Sequence, residues 1–479
     1  MTRTEPALSR LTAHLLAPVD FAWLAAFRII YGLLLAVSMG RFLAYGFIDT
    51  FFVEPRFHFK YWGFAWVEPL PGPLLHALFA ALLVLALCIA AGLAYRASAL
   101  LFALGLAYVQ LIDVTTYLNH YYLAALLAFL LAAAPAHRGW SVDAWARRRR
   151  ELRHGTREAP PSAPTTIARG WLWLFRFQVG LVYTFAGLAK AQGDWLLHAQ
   201  PLGIWLGAVT DLPVLGALFT QPFVPFLFSW GGFLFDSSIV PLLLWDRTRR
   251  FAFPIVIVFH TLTSLLFPIG MFPLIMVLSA LVFFPPSWPR RVAARLGSFE
   301  AAPRPTASTP PKARSVATWR GRAALALGVL YCGVQLALPL RFLAYRGNVL
   351  WDEQGMRFSW RVMLRAKGGD TTFVVRRERD EKVFLVSPRS YLTVVQENEM
   401  SSQPDLILQL AHRIHDDFVE RGHGPVEVRV ESRVSLNGRR SAPFIDPRLD
   451  LARIDDGWSL AGLVLPPPGG APPHTRPVL

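Results

Sequence analysis

Nine apolar runs, near 21–44, 73–94, 97–113, 121–135, 171–190, 222–245, 251–268, 271–285 and 322–343, dominate the first 343 positions of this chain. Several approach the roughly 20 residues that a helix needs to cross a bilayer. In lipid the backbone must satisfy its own hydrogen bonds, so runs of this kind fold as helices. The hydrophobic share of 54% and the mean hydropathy of +0.38 agree with that class. The runs 121–135 and 271–285 are short and fit tilted or re-entrant elements as well as full spans.

A net charge of +16 on 479 residues raises the question of nucleic acid. The arginines, however, sit in loops between apolar runs rather than on one soluble face, and no nucleic-acid partner is expected. Arg147–Arg150 with Arg153 and Arg157, then Arg247, Arg249 and Arg250, then Arg290, Arg291 and Arg295 occupy three such loops. The positive-inside rule places all three in the cytoplasm, with a cytoplasmic N-terminus and residues from 344 onward outside. The first run is longer than a signal-peptide core and lacks a small-residue cleavage site, so it reads as a retained helix.

These features predict a polytopic α-helical membrane domain of about nine spans over 1–343, with cytoplasmic linkers near 136–170 and 286–320. From 344 to 465 polar and apolar residues alternate, as in Thr371–Arg377, Lys382–Val386 and Val426–Leu436, the period of half-buried strands. One helical pattern interrupts them at Asp405–Arg421. A β-rich extracytoplasmic domain with one helix is therefore expected, followed by a Pro-rich tail over 466–479. Cys88 and Cys332 both lie in predicted spans with no Cys-x-x-Cys between them, so the chain reads as disulfide-free and without a thiol redox centre.

Ionisable residues at membrane depth are costly and point to function. Lys190 is the only lysine between Lys60 and Lys312 in a chain otherwise rich in arginine. An amine can give up its proton where a guanidinium cannot, so Lys190 is a candidate base, against the plainer reading of a side chain snorkelling to the interface. Asn119 and His120 open the fourth run and His260 lies within the seventh; by topology all three share the outer half with Lys190. Asp113 and Asp236 are candidate counter-charges or helix caps. Arg28 and Arg176 are similar cases in the first and fifth runs, with snorkelling to the cytoplasmic side the plainer explanation and the favoured one for Arg176. His412 and His415 have a metal-compatible spacing, but a solvated helix face explains them better, and no metal is expected.

In order along the chain stand Asp20-Phe-Ala-Trp-Leu-Ala-Ala-Phe-Arg28, Asn119-His-Tyr-Tyr-Leu123, Trp140-Ser-Val-Asp143, Phe185-Ala-Gly-Leu-Ala-Lys190 with Asp194-Trp195, and Gly231-Gly-Phe-Leu-Phe-Asp236. Then come Phe259-His260, Phe267-Pro-Ile-Gly-Met-Phe272, Phe358-Ser-Trp-Arg-Val-Met363 and Phe444-Ile-Asp-Pro-Arg448. In this order the segments resemble the vitamin K-dependent gamma-glutamyl carboxylase family, whose bacterial relatives carry the HTTM domain. The resemblance implies a carbon–carbon lyase coupled to quinone epoxidation, with reduced vitamin K (menaquinol or phylloquinol) as cofactor and O2 and CO2 as co-substrates. It casts Lys190 as the base that deprotonates the quinol, Asn119 and His120 as its support, and His260 as a cofactor contact. Trp360, Arg361, Arg365 and Arg448 fall in segments resembling the glutamate-binding region and would face a Glu-containing peptide or protein. Membrane lipid and an external quinone reductase complete the implied partners, at the cell (inner) membrane. The eukaryotic enzyme has two adjacent lysines where this chain has Ala189 and Lys190, and its disulfide has no counterpart here. The competing reading is a non-catalytic quinone- or lipid-binding protein or transporter of the same fold.

Overall fold

The structure, a computed structural model, describes residues 7–153, 166–213, 216–296, 319–460 and 462–473. Every apolar run is helical. Among the described residues, seven helices are long and apolar enough to cross a membrane: Ala22–Ala44, Gly72–Ala91, Tyr95–Ile112, Arg169–Lys190, Val224–Leu244, Asp246–Leu266 and Gly321–Ala344. They are spans 1, 2, 3, 5, 6, 7 and 9. Span 8, Phe272–Phe283, meets the helix Trp288–Arg295 at a 101° bend, and span 4 is the 15-residue helix Asn119–Ala133.

The C-terminal ends of both short elements are tied to long spans. On one face Arg28 of span 1 donates to the carbonyls of Ala136 and Trp140, just past span 4. There Asp143 accepts from the backbone N–H groups of Ala94 and Tyr95 at 2.9 Å, capping span 3. Arg176 donates to the carbonyls of Val282, Phe283 and Phe284 at the end of span 8, and Arg290 pairs with Asp20 at 3.0 Å. Arg28 and Arg176 thus satisfy orphan carbonyls of neighbouring helix ends inside the protein, and the snorkelling favoured for Arg176 is not observed. On the opposite face the ends of spans 3 and 5 meet the C-terminal region. Asp113 accepts from Gln396 at 2.8 Å, and Asp194 takes Arg439 at 2.6 and 2.7 Å and Asn437 at 2.8 Å.

Span 1 is the hub, with most of its residues buried. It crosses span 2 at backbone contact because Gly32 has no side chain: a Cβ there would lie 2.6 Å from the Ala90 nitrogen. Gly32→Ala is expected to push the two helices apart and destabilise the fold by about 1–3 kcal/mol, the usual cost of overpacking. Gly40→Ala, on the same helix with nothing within 4 Å, should cost nothing. Thermal unfolding followed by size exclusion in detergent separates the two variants.

Segments expected to be linkers have structure where they are described. Val142–Arg153 is a helix without buried residues, and Thr166–Ala168 pairs antiparallel with Pro18–Asp20. Residues 154–165 and 297–318, the cores of both expected linkers, lie outside the described residues, as does the end of the tail from 474. Its described part is tied back, with Arg439 donating to the Gly470 carbonyl at 3.0 Å.

The C-terminal region holds a four-stranded antiparallel sheet of β1 (Lys367–Arg377), β2 (Val383–Val386), β3 (Val426–Leu436) and β4 (Ala442–Pro443), in the order β2-β1-β3-β4. The long pair runs from Lys367 opposite Leu436 to Arg377 opposite Val426. Its buried face alternates as predicted, with Phe373 and Val375 on β1 and Val426, Val428, Val430 and Val434 on β3. Helix Pro404–Glu420 lays Ile407, Leu410, Ala411, Ile414 and Phe418, one helical stripe, into the core beneath it. On that helix His412 Nε2 contacts the carbonyls of Leu451 and Ile454, so it ties down a loop and is not a solvated residue.

Candidate active site in the membrane domain

Span 5 ends on Lys190, and the segment beyond it decides the fate of that amine. Three short helices, Gly193–Leu196, Leu202–Gly207 and Gly216–Phe219, follow the end of the span and cover it. Trp195 is fixed there by its indole N–H donating to the Ser229 carbonyl at 2.8 Å. With water covered off, Lys190 is 6% exposed and turns inward, donating to Asp236 Oδ2 at 2.7 Å, while the Trp195 ring lies 5.2 Å from the ammonium. Lys190 does not snorkel. It makes a buried ion pair with span 6 and a cation–π contact.

That pairing needs close approach of two helices. Gly187, three residues before Lys190, supplies it: a Cβ there would lie 2.8 Å from Ser237 Oγ and 3.1 Å from the Asp236 carbonyl carbon. The Ala-Gly-Leu-Ala-Lys sequence therefore works as packing first and chemistry second. It lets span 5 lie against span 6 at the level where Asp236 faces Lys190.

Lys190 and Asp236 form the polar corner of a cavity of about 90 Å³ with otherwise apolar walls. Tyr183, two turns below Lys190, and His260 of span 7 also line it. The Tyr183 hydroxyl lies 3.1 Å from His260 Nε2, and both residues are 2% exposed. His260 Nδ1 is buried and has no hydrogen-bond partner. A buried donor or acceptor left unmade costs about 1–3 kcal/mol, so this atom marks where a ligand's polar group belongs. The turn between spans 7 and 8 adds Phe267, Ile269 and Phe272 to the wall. Gly270, at φ 59°, makes that turn.

His120 stands on the other side of Phe272, whose ring is 6.2 Å from His120 and 5.9 Å from His260. It does not line the cavity, but it abuts the Gly270 turn, where a glycine Cβ would come within 3.9 Å of its Nε2. Asn119 is turned away: its Oδ1 accepts from the Tyr117 hydroxyl at 2.9 Å, and that hydroxyl accepts from the Phe358 N–H at 2.8 Å. The expected convergence of four polar groups is thus a convergence of Lys190 and His260 on Asp236 and Tyr183. His120 and Asn119 form the layer behind them. Tyr183 was missed by sequence reading because a tyrosine in an aromatic-rich span carries no signal of its own.

The ceiling comes from the C-terminal region. Val362 and Met363 line the cavity, and the segment that carries them is held in an unusual backbone, with positive φ at Phe358 (59°), Trp360 (60°) and Met363 (54°). Such conformations in non-glycine residues are strained and persist only where packing over-determines them. Here Trp360, completely buried, stacks on Tyr122 at 5.0 Å and joins the membrane-domain core. Two motifs more than 200 residues apart, Asn119–Leu123 and Phe358–Met363, are therefore one interface.

The four residues expected to face a peptide do not share a surface. Trp360 is sealed inside the interface, Arg365 is held by Glu353 at 2.8 Å, and Arg448, with an 84% exposed side chain, is paired to Asp446 at 2.6 Å. Trp360 Nε1 and Arg361 Nε are both buried without a hydrogen-bond partner, and the Arg361 guanidinium lies over the Phe342 ring at 4.1 Å. The Trp360 ring lies inside because it stacks on Tyr122 at 5.0 Å.

A family model described as HTTM domain matches residues 16–288, more than half of the chain. A second, described as vitamin K-dependent gamma-carboxylase, lumenal domain, matches residues 320–468. No solved structure matches. The two matches together span the helical bundle, the cavity and the β-sheet region, in the order in which the motifs occur. With many apolar helices and a matched lumenal domain joined at a buried polar site, this multi-pass membrane protein belongs to the vitamin K-dependent gamma-carboxylase family.

Proposed function

We propose that the protein is a membrane enzyme that uses a reduced naphthoquinone, with Lys190 accepting the proton of a quinol hydroxyl. The observation that carries this reading is the buried Lys190–Asp236 pair in a largely apolar cavity that His260, with one unpartnered ring nitrogen, also lines. Removing two charges from water is expensive, and a purely lipid-filled pocket has no use for them. An apolar wall with one amine, one carboxylate and one free imidazole nitrogen suits a flat, mostly apolar ligand with a hydroxyl at each end.

The residues divide the work. Lys190 Nζ first passes its own proton to Asp236 Oδ2, in contact with it, and the neutral amine so formed takes the hydroxyl proton. His260 Nδ1 orients the second oxygen, its ring held by Tyr183. His120 and Asn119 support the Gly270 turn and the Phe358 segment. Trp195, the short helices above it and Met363 exclude water. A reduced naphthoquinone bound there supplies the reducing power for O2 and the strong base that carboxylation of a glutamate γ-carbon by CO2 demands. The substrate is a Glu-containing peptide or protein, for which Arg361 is the candidate contact, and the reductant is renewed by a separate quinone reductase.

Purified protein in lipid, given menaquinol, isotopically labelled O2 and labelled bicarbonate with a Glu-containing peptide, should form labelled quinone epoxide. Label entering the peptide identifies a carboxylase. Epoxide without peptide label identifies an epoxidase, and neither product returns the chain to a quinone-binding role.

The orientation proposed is N-terminus in the cytoplasm and sheet region outside, in the cytoplasmic membrane, on the strength of the arginine-rich loops. In a background with Cys88 and Cys332 replaced, Asn398→Cys should react with an impermeant thiol reagent on intact cells. Arg150→Cys should react only after permeabilisation. The reverse pattern removes the outward-opening site.

A further inference from the structure

A second cavity, of about 300 Å³, lies where the membrane helices end and the C-terminal region begins. Its floor includes Leu111 and Leu338, in the last turns of spans 3 and 9, so it sits at the membrane surface. None of the residues proposed for the quinol site lines it.

Its charges fall into two groups once existing pairs are set aside, among them Lys60, which also lines the cavity and lies 3.4 Å from Glu68. Glu353 is held by Arg365 and Lys367 at 2.8 and 3.0 Å, and Asp405 by Arg357 at 2.6 Å. Asp352 and Asp456 have no ion-pair partner among the described residues, nor does Arg341, whose guanidinium donates to the carbonyls of Leu338 and Arg357. Burial holds both free carboxyls above their ordinary range, and the neighbouring Asp405 raises Asp456 further. Beside them is an aromatic group. Trp458 meets Trp62 edge-on at 5.9 Å and Tyr345 at 5.6 Å, and both tryptophans are more than half exposed.

Exposed tryptophans flanking carboxylates that lack a counter-ion form a receptor for an ammonium group, and an arginine without a carboxylate suits a phosphate. The two lie in one cleft at the headgroup level of the bilayer, where tryptophan is enriched. We propose that this cleft holds the headgroup of a zwitterionic phospholipid, with its ammonium toward Asp456, Asp352 and Trp458 and its phosphate toward Arg341. The acyl chains run down the outer turns of spans 3 and 9. An acidic peptide fits less well, because its carboxylates would meet the unpaired aspartates.

Native mass spectrometry of the full-length protein, offered equal amounts of phosphatidylethanolamine and phosphatidylglycerol with the same acyl chains, tests this directly. The ethanolamine lipid should be retained over the glycerol lipid by about tenfold, the factor one charge-assisted hydrogen bond commonly makes. Asp456→Asn and Trp458→Ala, both at exposed positions, should each erase most of that preference without lowering the unfolding temperature. The proposal is overturned if the glycerol lipid is retained equally, or if neither variant changes the ratio. It also falls if water-soluble glycerophosphoethanolamine competes as well as the lipid, or if a Glu-containing peptide displaces it. Quinol turnover is not the readout, so the result stands apart from the assignment of Lys190.

Discussion

Lys190→Ala is expected to abolish quinol-dependent epoxide formation, a loss of about 10²–10⁴-fold or more for a missing general base, in a protein that still inserts but is destabilised by the unpaired Asp236. The expectation rests on placement. Covered by Trp195 and the short helices after span 5, the amine has one outlet, the cavity it shares with His260. Lys190→Arg is the sharper variant. It keeps the positive charge beside Asp236 and most of the length, but a guanidinium does not release its proton at working pH. A base role predicts loss with arginine as with alanine, and a charge-only role predicts retained turnover. Small primary amines should partly rescue Lys190→Ala, more strongly at high pH where more of the amine is unprotonated, and should do nothing for Lys190→Arg, which leaves no space. Wild-type turnover in the arginine variant would reduce Lys190 to a structural anchor.

The membrane class and the period-two strands were legible because each rests on a repeating pattern that many residues share. Val426–Leu436 is the clearest case: its alternation predicts a strand, and the structure places the same residues as β3. Ala22–Ala44 and Gly72–Ala91 were equally plain from apolar length alone. Single residues were read less well. Lys190 stood out by its rarity, but its partner did not: Asp236 is far away in sequence and equally compatible with a helix cap. Gly187 decides the pairing, and a glycine in a span looks alike whether it faces lipid or a neighbouring backbone.

Arg28 and Trp360 mark the other limit. The arginine stood as an ionisable residue at membrane depth without a partner in view, and the tryptophan was expected to face a peptide. Both are completely buried, because tertiary partners offered more than water did. For Arg28 these are two carbonyls beyond span 4, and for Trp360 the face of Tyr122. Partners at such separations leave no trace in a local window. They become visible only when Asn119–Leu123 and Phe358–Met363 are seen in contact.

Asp236→Ala should destabilise the protein by about 3–5 kcal/mol, the cost of leaving one member of a buried ion pair without its partner. The double variant Lys190→Met with Asp236→Leu should recover much of that loss, since neither charge is then buried and the two side chains can pack across the Gly187 crossing. It should remain inactive. That combination, stability regained and turnover absent, separates a pair kept for chemistry from one kept for folding. Asp236→Asn completes the test: the amide retains an acceptor for Lys190 at 2.7 Å but cannot take over a proton. If Asp236 relays the proton, this variant folds yet turns over slowly, with kcat reduced and KM for quinol little changed. If its kcat equals that of the wild type, Asp236 only anchors the amine, and the proton must leave Lys190 by another route.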